Sequence, residues 1–245
     1  MKRGMIAAAL RLFVIQGSMN HERLQGLGAA VAIEPLVRDL PRGATGDGAQ
    51  GAVARAAGFF NTHPYLAGLA VGALAKAEHE GVPPNQVERL RSALKGPLGS
   101  IGDRLIWAGT LPALSAGALV LTTVTPPLVA VAAFLVGYNT VHLLVRWWAL
   151  QAGWRSGMTV GRALRNPVLR GALRIVGPLA ALSVGFALPV LAARLTAGFD
   201  AVTRWGTAGI GLATVLVTWW LVPTIGAARF GLLTLGAVFV LGWLW

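Results

Sequence analysis

Two kinds of hydrophobic stretch follow one another along the chain. Residues 105–145, 175–193 and 205–228 contain no Asp, Glu, Lys or Arg. A bilayer core of roughly 30 Å takes about 20 apolar residues of helix, so stretches of this kind predict membrane spans. Pro126-Pro127 divides the first of them, because proline removes a helix hydrogen bond and clashes with the preceding turn. The pattern predicts five transmembrane helices, over 105–123, 126–145, 175–193, 205–228 and 230–245. Ahead of them, residues 5–15, 24–37 and 65–75 are apolar but short, the length of re-entrant, interfacial or core helices.

The expected fold is an all-α integral membrane protein in two parts. Residues 1–104 form a region of re-entrant and amphipathic helices, and residues 105–245 form the transmembrane helical region. Within the first part, Gly68 and Gly72 make a small-xxx-small pair that permits close helix approach. Residues 42–51, rich in glycine and small polar groups, read as an exposed loop. Residues 81–85, with Pro83-Pro84, read as a turn before a charged helix over 86–95.

Charge orients the spans. Of 245 residues, 55% are hydrophobic and only 12% charged, about half the share usual in a soluble domain. The net charge of +12 is concentrated in the second part, where nine arginines face the single acid Asp200. Six of them (Arg146, Arg155, Arg162, Arg165, Arg170 and Arg174) fall between two predicted spans, the signature of a cytoplasmic loop. This explains the basic excess without nucleic acid. Alternation then predicts a C-terminus on the outer face. Without cysteine, thiol catalysis and zinc–thiolate sites are excluded for this chain. No P-loop, HExxH or GxSxG is present, and His21, His63, His79 and His142 lack metal-ligand spacing, so no cofactor or metal is expected.

Three polar clusters interrupt the apolar background of the first part. The first, Gln16-Gly17-Ser18-Met19-Asn20-His21-Glu22-Arg23-Leu24-Gln25, offers amides and a carboxylate, the groups that hold neutral polyols through donor and acceptor together. An ordinary turn with a Glu22–Arg23 surface pair is the simpler reading of the same residues. The second, Phe59-Phe60-Asn61-Thr62-His63-Pro64, suits either the mouth of a re-entrant hairpin or a helix cap. The third, Gly96-Pro97-Leu98-Gly99-Ser100-Ile101-Gly102-Asp103, predicts irregular backbone, which membranes tolerate only inside protein or along a cavity. Asp103 is there either an N-cap of the first span or a functional carboxylate. Asn20, Glu22 and Gln25 are the main candidate site residues, with Asn61 and Asp103 as lesser ones. His142 reads as a polar packing residue.

These clusters, in this order, resemble the IID component of the mannose/fructose/sorbose family of the bacterial phosphotransferase system. Residues 16–25 match its Gln-Gly-Ser-aromatic-Asn-aromatic-Glu-Arg-Met-Gln stretch, residues 59–64 its Phe-Phe-Asn-Thr motif, and residues 96–103 its Gly-Pro…Gly-Asp motif, with Trp107 soon after. Asn139, Arg146, Trp147-Trp148, Gly153 and Gly157 extend the match. Met19 and His21 stand where aromatics are usual, Gly99-Ser100 replaces Ala-Gly, and Leu111 and His142 replace usual arginines. The resemblance implies a multi-pass subunit of the bacterial inner membrane, paired with a IIC subunit as a sugar channel. It further implies phosphorylation of the sugar by IIB, itself charged by IIA, with no catalytic residue on this chain. A family-derived regulatory or scaffold membrane protein is the alternative.

Overall fold

The computed structural model describes residues 4–41 and 48–203, with scattered positions from 205 to 220. By its internal contacts the chain divides into a unit ending at Pro189 and a second beginning at Val190. Every site below belongs to the first.

The short apolar stretches fold as short helices. They are α1 (Met5–Arg11), continued by a 3-10 turn Leu12–Val14, then α2 (Gly26–Val37) and α4 (Ala67–His79). Between them lies α3 (Gly48–Ala56), which begins within the stretch 42–51 whose composition predicts a loop. Its Ala52 and Ala56 are buried in the core, and that packing overrides weak helix propensity. Ten of the 13 residues of α4 are buried, so this helix is the centre of the unit.

Small residues let two helices approach closely. A Cβ on Gly72 would lie 2.4 Å from the Leu150 carbonyl oxygen, and one on Gly153 would lie 2.2 Å from that of Leu69. Glycine at both positions lets α4 and the later helix α7 pack backbone to backbone.

The long apolar stretches form α5 (Pro84–Gly102), a π-helical segment (Asp103–Thr110), α6 (Leu111–Leu121), α7 (Pro127–Ser156) and α8 (Pro167–Leu195). Three runs among the described residues are long and apolar enough to cross a bilayer, Pro84–Leu121, Pro127–Arg165 and Pro167–Leu195. The predicted span 105–123 is the last part of the first run, 126–145 the first part of the second, and 175–193 falls within the third. The predicted spans 205–228 and 230–245 lie outside the described residues, apart from scattered positions up to 220. In the second unit, Asp200 accepts hydrogen bonds from the backbone N–H and hydroxyl of Thr203, at 2.7 and 3.2 Å, capping the turn after α8.

Two expectations need correction. Residues 96–102 are helical, with Pro97 inside α5. Val87, Leu94 and Leu98 are buried at helical spacing on one face, and this packing holds the helix through its glycines and proline. The irregularity falls one step later, in the π-helical turns, and Asp103 opens those turns instead of capping a new helix. The six arginines also do not share a loop. Arg146 and Arg155 are on α7, Arg162 and Arg165 on the 3-10 connection Gly157–Arg165, and Arg170 and Arg174 on α8. Arg146 is buried because it finds partners inside. It donates to the Leu12 carbonyl and to His142 Nε2 (2.6 Å), and lies over the rings of Phe13 and Tyr65.

Candidate functional site

The first polar cluster turns sharply on itself. Asn20 Oδ1 accepts from the backbone N–H groups of Glu22 (3.1 Å) and Arg23 (2.9 Å), while its Nδ2 donates to the Ser18 carbonyl. Leu24 then adopts a left-handed conformation, φ 48°, a strained choice for a non-glycine residue. That reversal lays the chain beside the second cluster. Gln25 N–H donates to the Phe60 carbonyl (2.8 Å) and Phe60 N–H to that of Arg23 (3.1 Å). The Gln25 side chain, fully buried, completes the tie. Its Nε2 donates to the Thr62 carbonyl (2.8 Å) and its Oε1 accepts from Thr62 N–H (3.2 Å). The amide reads the Thr62 backbone as a neighbouring strand would.

The third cluster closes against this hairpin. Gly102 sits under the His63 ring, where a Cβ would meet the His63 Cβ at 2.2 Å. The π-helical turns carry Trp107 to 5.5 Å from that ring, centroid to centroid. His63 Nδ1 accepts from Tyr65 N–H at 3.2 Å, which assigns the neutral tautomer its proton on Nε2. Burial pushes the His63 pKa down to about 4, against an opposing pull from Asp103 and with a lesser push from Arg146, so the ring is neutral at pH 7.

The three clusters thus meet around one cavity of about 820 Å³. Amides (Gln16, Gln25, Asn61), the Asp103 carboxylate and the Ser100 hydroxyl line it, with Lys95 and Arg104 as cations. Phe59 and Trp107 present aromatic surface, about half exposed in each case. Lys95 Nζ lies 4.7 Å above the Phe59 ring. Thr62 Oγ1 and His63 Nε2 are buried without a partner, and both residues line the cavity. Hydrogen-bonding capacity is unmet at its wall, unlike most buried polar groups.

Of the five predicted residues, Gln25, Asn61 and Asp103 come together at this cavity. Asn20 and Glu22 do not line it. Asn20 is committed to its own turn, and the exposed Glu22 has no ion pair with Arg23 among the described residues. The cavity also recruits Phe59, Lys95, Ser100 and Trp107, which sequence reasoning left without a role. The Phe59-Phe60 pair carried the signal, but adjacency cannot tell which ring is buried. Phe60 is 1% exposed and Phe59 47%. A larger recess of about 1330 Å³ lies along α1, α2 and α3, but its walls are mainly alanine, valine and leucine around Arg11 and Glu34. It gathers none of the predicted residues, and the chemistry favours the smaller cavity.

His142 stacks on Tyr65 at 4.1 Å, beside the 2.8 Å bond between the hydroxyls of Tyr65 and Tyr138. It packs as expected.

Three helical runs of spanning length, one of them walling a polar, aromatic-lined cavity, mark a helical integral membrane protein of the transporter class. Residues 1–241 match the sequence model of the PTS system mannose/fructose/sorbose family IID component. The mannose-specific EIID component of Escherichia coli K12 is 27% identical over 204 residues, covering 76% of this chain and 70% of that one. The sorbose-specific EIID component of Klebsiella pneumoniae is 30% identical over 162 residues, covering 64% of this chain and 58% of that protein. Among solved structures, a chain described as a membrane protein superposes with TM-score 0.73 at 20% identity, over 98% of this chain and 95% of that one. A chain of the mannose transporter ManYZ–microcin E492 complex gives 0.56 at 19% identity, over 98% and 94%. The chain belongs to the IID family: it is a membrane subunit of a mannose-family phosphotransferase-system permease.

Proposed function

We propose that the cavity framed by the three polar clusters is this chain's share of a sugar site in the bacterial inner membrane. A IIC subunit completes the site, and IIB, charged by IIA, phosphorylates the sugar on the cytoplasmic side. The convergence on one cavity carries the reading. Sugars present hydroxyl edges to amides and carboxylates and C–H faces to aromatic rings, and this cavity supplies both. Its net positive lining disfavours cationic solutes and leaves a neutral polyol well matched. The arginine-bearing end of α7 and α8 faces the cytoplasm in this account, and the C-terminus faces outward.

Support for a membrane partner comes from the recess along α1–α3. Leu10, Val14 and Val31 are 63%, 60% and 48% exposed beside the half-exposed Arg11–Glu34 pair. Ionised groups at this density suit a protein cover better than lipid tails.

Uptake of candidate sugars by the reconstituted IIC–IID pair, with IIA and IIB supplied, tests the proposal. A hydrogen bond to a carboxylate is worth about 1.5–3 kcal/mol, so Asp103→Asn should raise the half-saturating sugar concentration roughly 10- to 100-fold, whereas Glu22→Gln, outside the cavity lining, should leave it unchanged. Gln25→Ala should act on folding and not on affinity. Wild-type uptake from the Asn61→Ala and Asp103→Asn variants alike would transfer the site to the partner.

A further inference from the structure

A recess of about 440 Å³ lies between α7, α8 and the π-helical segment, with no residue in common with the polar cavity. Leu144, Val145 and Trp148 of α7 face Ala172, Ile175 and Leu179 of α8 across it. Thr110 contributes a hydroxyl, but its Oγ1 already donates to the Leu105 carbonyl at 2.8 Å. The recess has a structural cause. Gly109 lets α8 press onto the π-helical segment, where an added Cβ would lie 2.4 Å from Val176 Cγ2. Leu169 packs there with Leu105, Ile106 and Tyr65, and the space left beside that contact, toward α7, stays unfilled.

One end of the recess is electrically marked. Trp148, Val168 and Leu169 line it there; Leu164 packs against the cluster that holds Leu169 and is followed directly by Arg165, on the 3-10 connection that also carries Arg162. Both arginines are exposed, and neither has an ion pair among the described residues. No Asp or Glu occurs in sequence between Asp103 and Asp200, and Glu80 of α4, which comes beside Gly157 at the start of the connection, is paired there with Lys76 at 3.2 Å. An apolar slot between spanning helices, ending at unpaired guanidinium groups and an indole, has the polarity profile of one amphiphile with an anionic head. A soluble anion would have no use for the slot, and a neutral lipid none for the arginines.

We propose that the recess holds an acyl chain of an anionic glycerophospholipid whose phosphate is met by Arg162 and Arg165. Arginine forms paired hydrogen bonds to phosphate oxygens, and an indole such as that of Trp148 suits the headgroup layer. The site is separate from the sugar cavity, so either reading can fail alone.

Native mass spectrometry of the full chain, purified with the membrane partner it retains and titrated with phosphatidylglycerol or phosphatidylcholine, tests this. Each arginine beside an anionic headgroup is worth about a fivefold change in affinity, so the wild type should favour phosphatidylglycerol roughly 25-fold. Arg162→Gln with Arg165→Gln should abolish that preference and keep residual binding of both lipids. Ala172→Trp, which fills the slot, should remove both, while Leu188→Trp on another face of α8 should change neither. A photoreactive residue at 172 in the otherwise wild-type chain, in native membranes, should label lipid. Equal affinity for the two lipids, wild-type lipid retention by Ala172→Trp, or a peptide adduct in place of a lipid adduct would each overturn the proposal.

Discussion

Helices α4 and α7 are both strongly apolar, yet they are covered by different materials. Ten of 13 residues of α4 are buried by protein, against five of 30 for α7, and four of those five lie in its C-terminal half. In the apolar window of the Pro127–Arg165 run only 6% of residues are buried within the chain. Leu69, Val71 and Leu74 of α4 meet side chains from α2 and α7. Leu128, Val136 and Leu144 of α7 are 79%, 68% and 64% exposed, a surface for lipid or a partner. Hydropathy reports the wish to leave water and is silent on what replaces it. The short helices, too short to span a bilayer, are here the packed core, and the long ones are its exterior.

The sharpest way to break this comparison is at the α4–α7 crossing. Gly72→Leu would drive a side chain into the Leu150 carbonyl, and we expect loss of the folded subunit from the membrane. The matching substitution at Gly117, which has open space around it, should leave abundance unchanged. Immunoblotting of membrane fractions reads both.

Next in size is a pair of identical truncations. Leu69→Ala empties a fully buried site and should cost about 2–5 kcal/mol, whereas Leu182→Ala, at a site 72% exposed, should fall well below that because lipid fills the gap. Denaturation midpoints in detergent should separate the two. Equal losses would mean that α8 is covered by protein at Leu182.

Smaller still is the Gln25 tie. Gln25→Ala leaves the Thr62 N–H and carbonyl unpaired in a buried hairpin, at about 1–3 kcal/mol, and should loosen protease resistance around residues 59–64. Gln25→Glu keeps one acceptor and should recover part of it.

Legibility followed the same divide. Spans and short helices were readable because burial of backbone groups in lipid leaves few options. Helix ends were not, since Arg146 and Trp147-Trp148 continue α7 where the charge pattern suggested a loop. The buried Arg146 depends on the Leu12 carbonyl, 134 positions away, which no local pattern encodes. The motifs led to the cavity but misjudged its members. Gln25 turned out to hold the hairpin, because its partner is the Thr62 backbone and not a side chain that sequence could name. The π-helical turns that aim Asp103 and Trp107 come from packing, with Gly102 against His63 and Gly109 against Val176. Those contacts are tertiary, and the glycines alone suggested broken backbone.

The central claim, that the three polar clusters enclose a sugar-accessible cavity, can be measured directly because the chain contains no cysteine. Single cysteines at Asn61, Ser100 and, as a control at an exposed position that does not line the cavity, Leu10 would be labelled with a small thiol reagent in the reconstituted pair, with and without transported sugar. The account predicts that saturating sugar slows labelling at positions 61 and 100 severalfold and leaves position 10 unchanged. Equal rates at all three positions, in a pair that still transports, would contradict it.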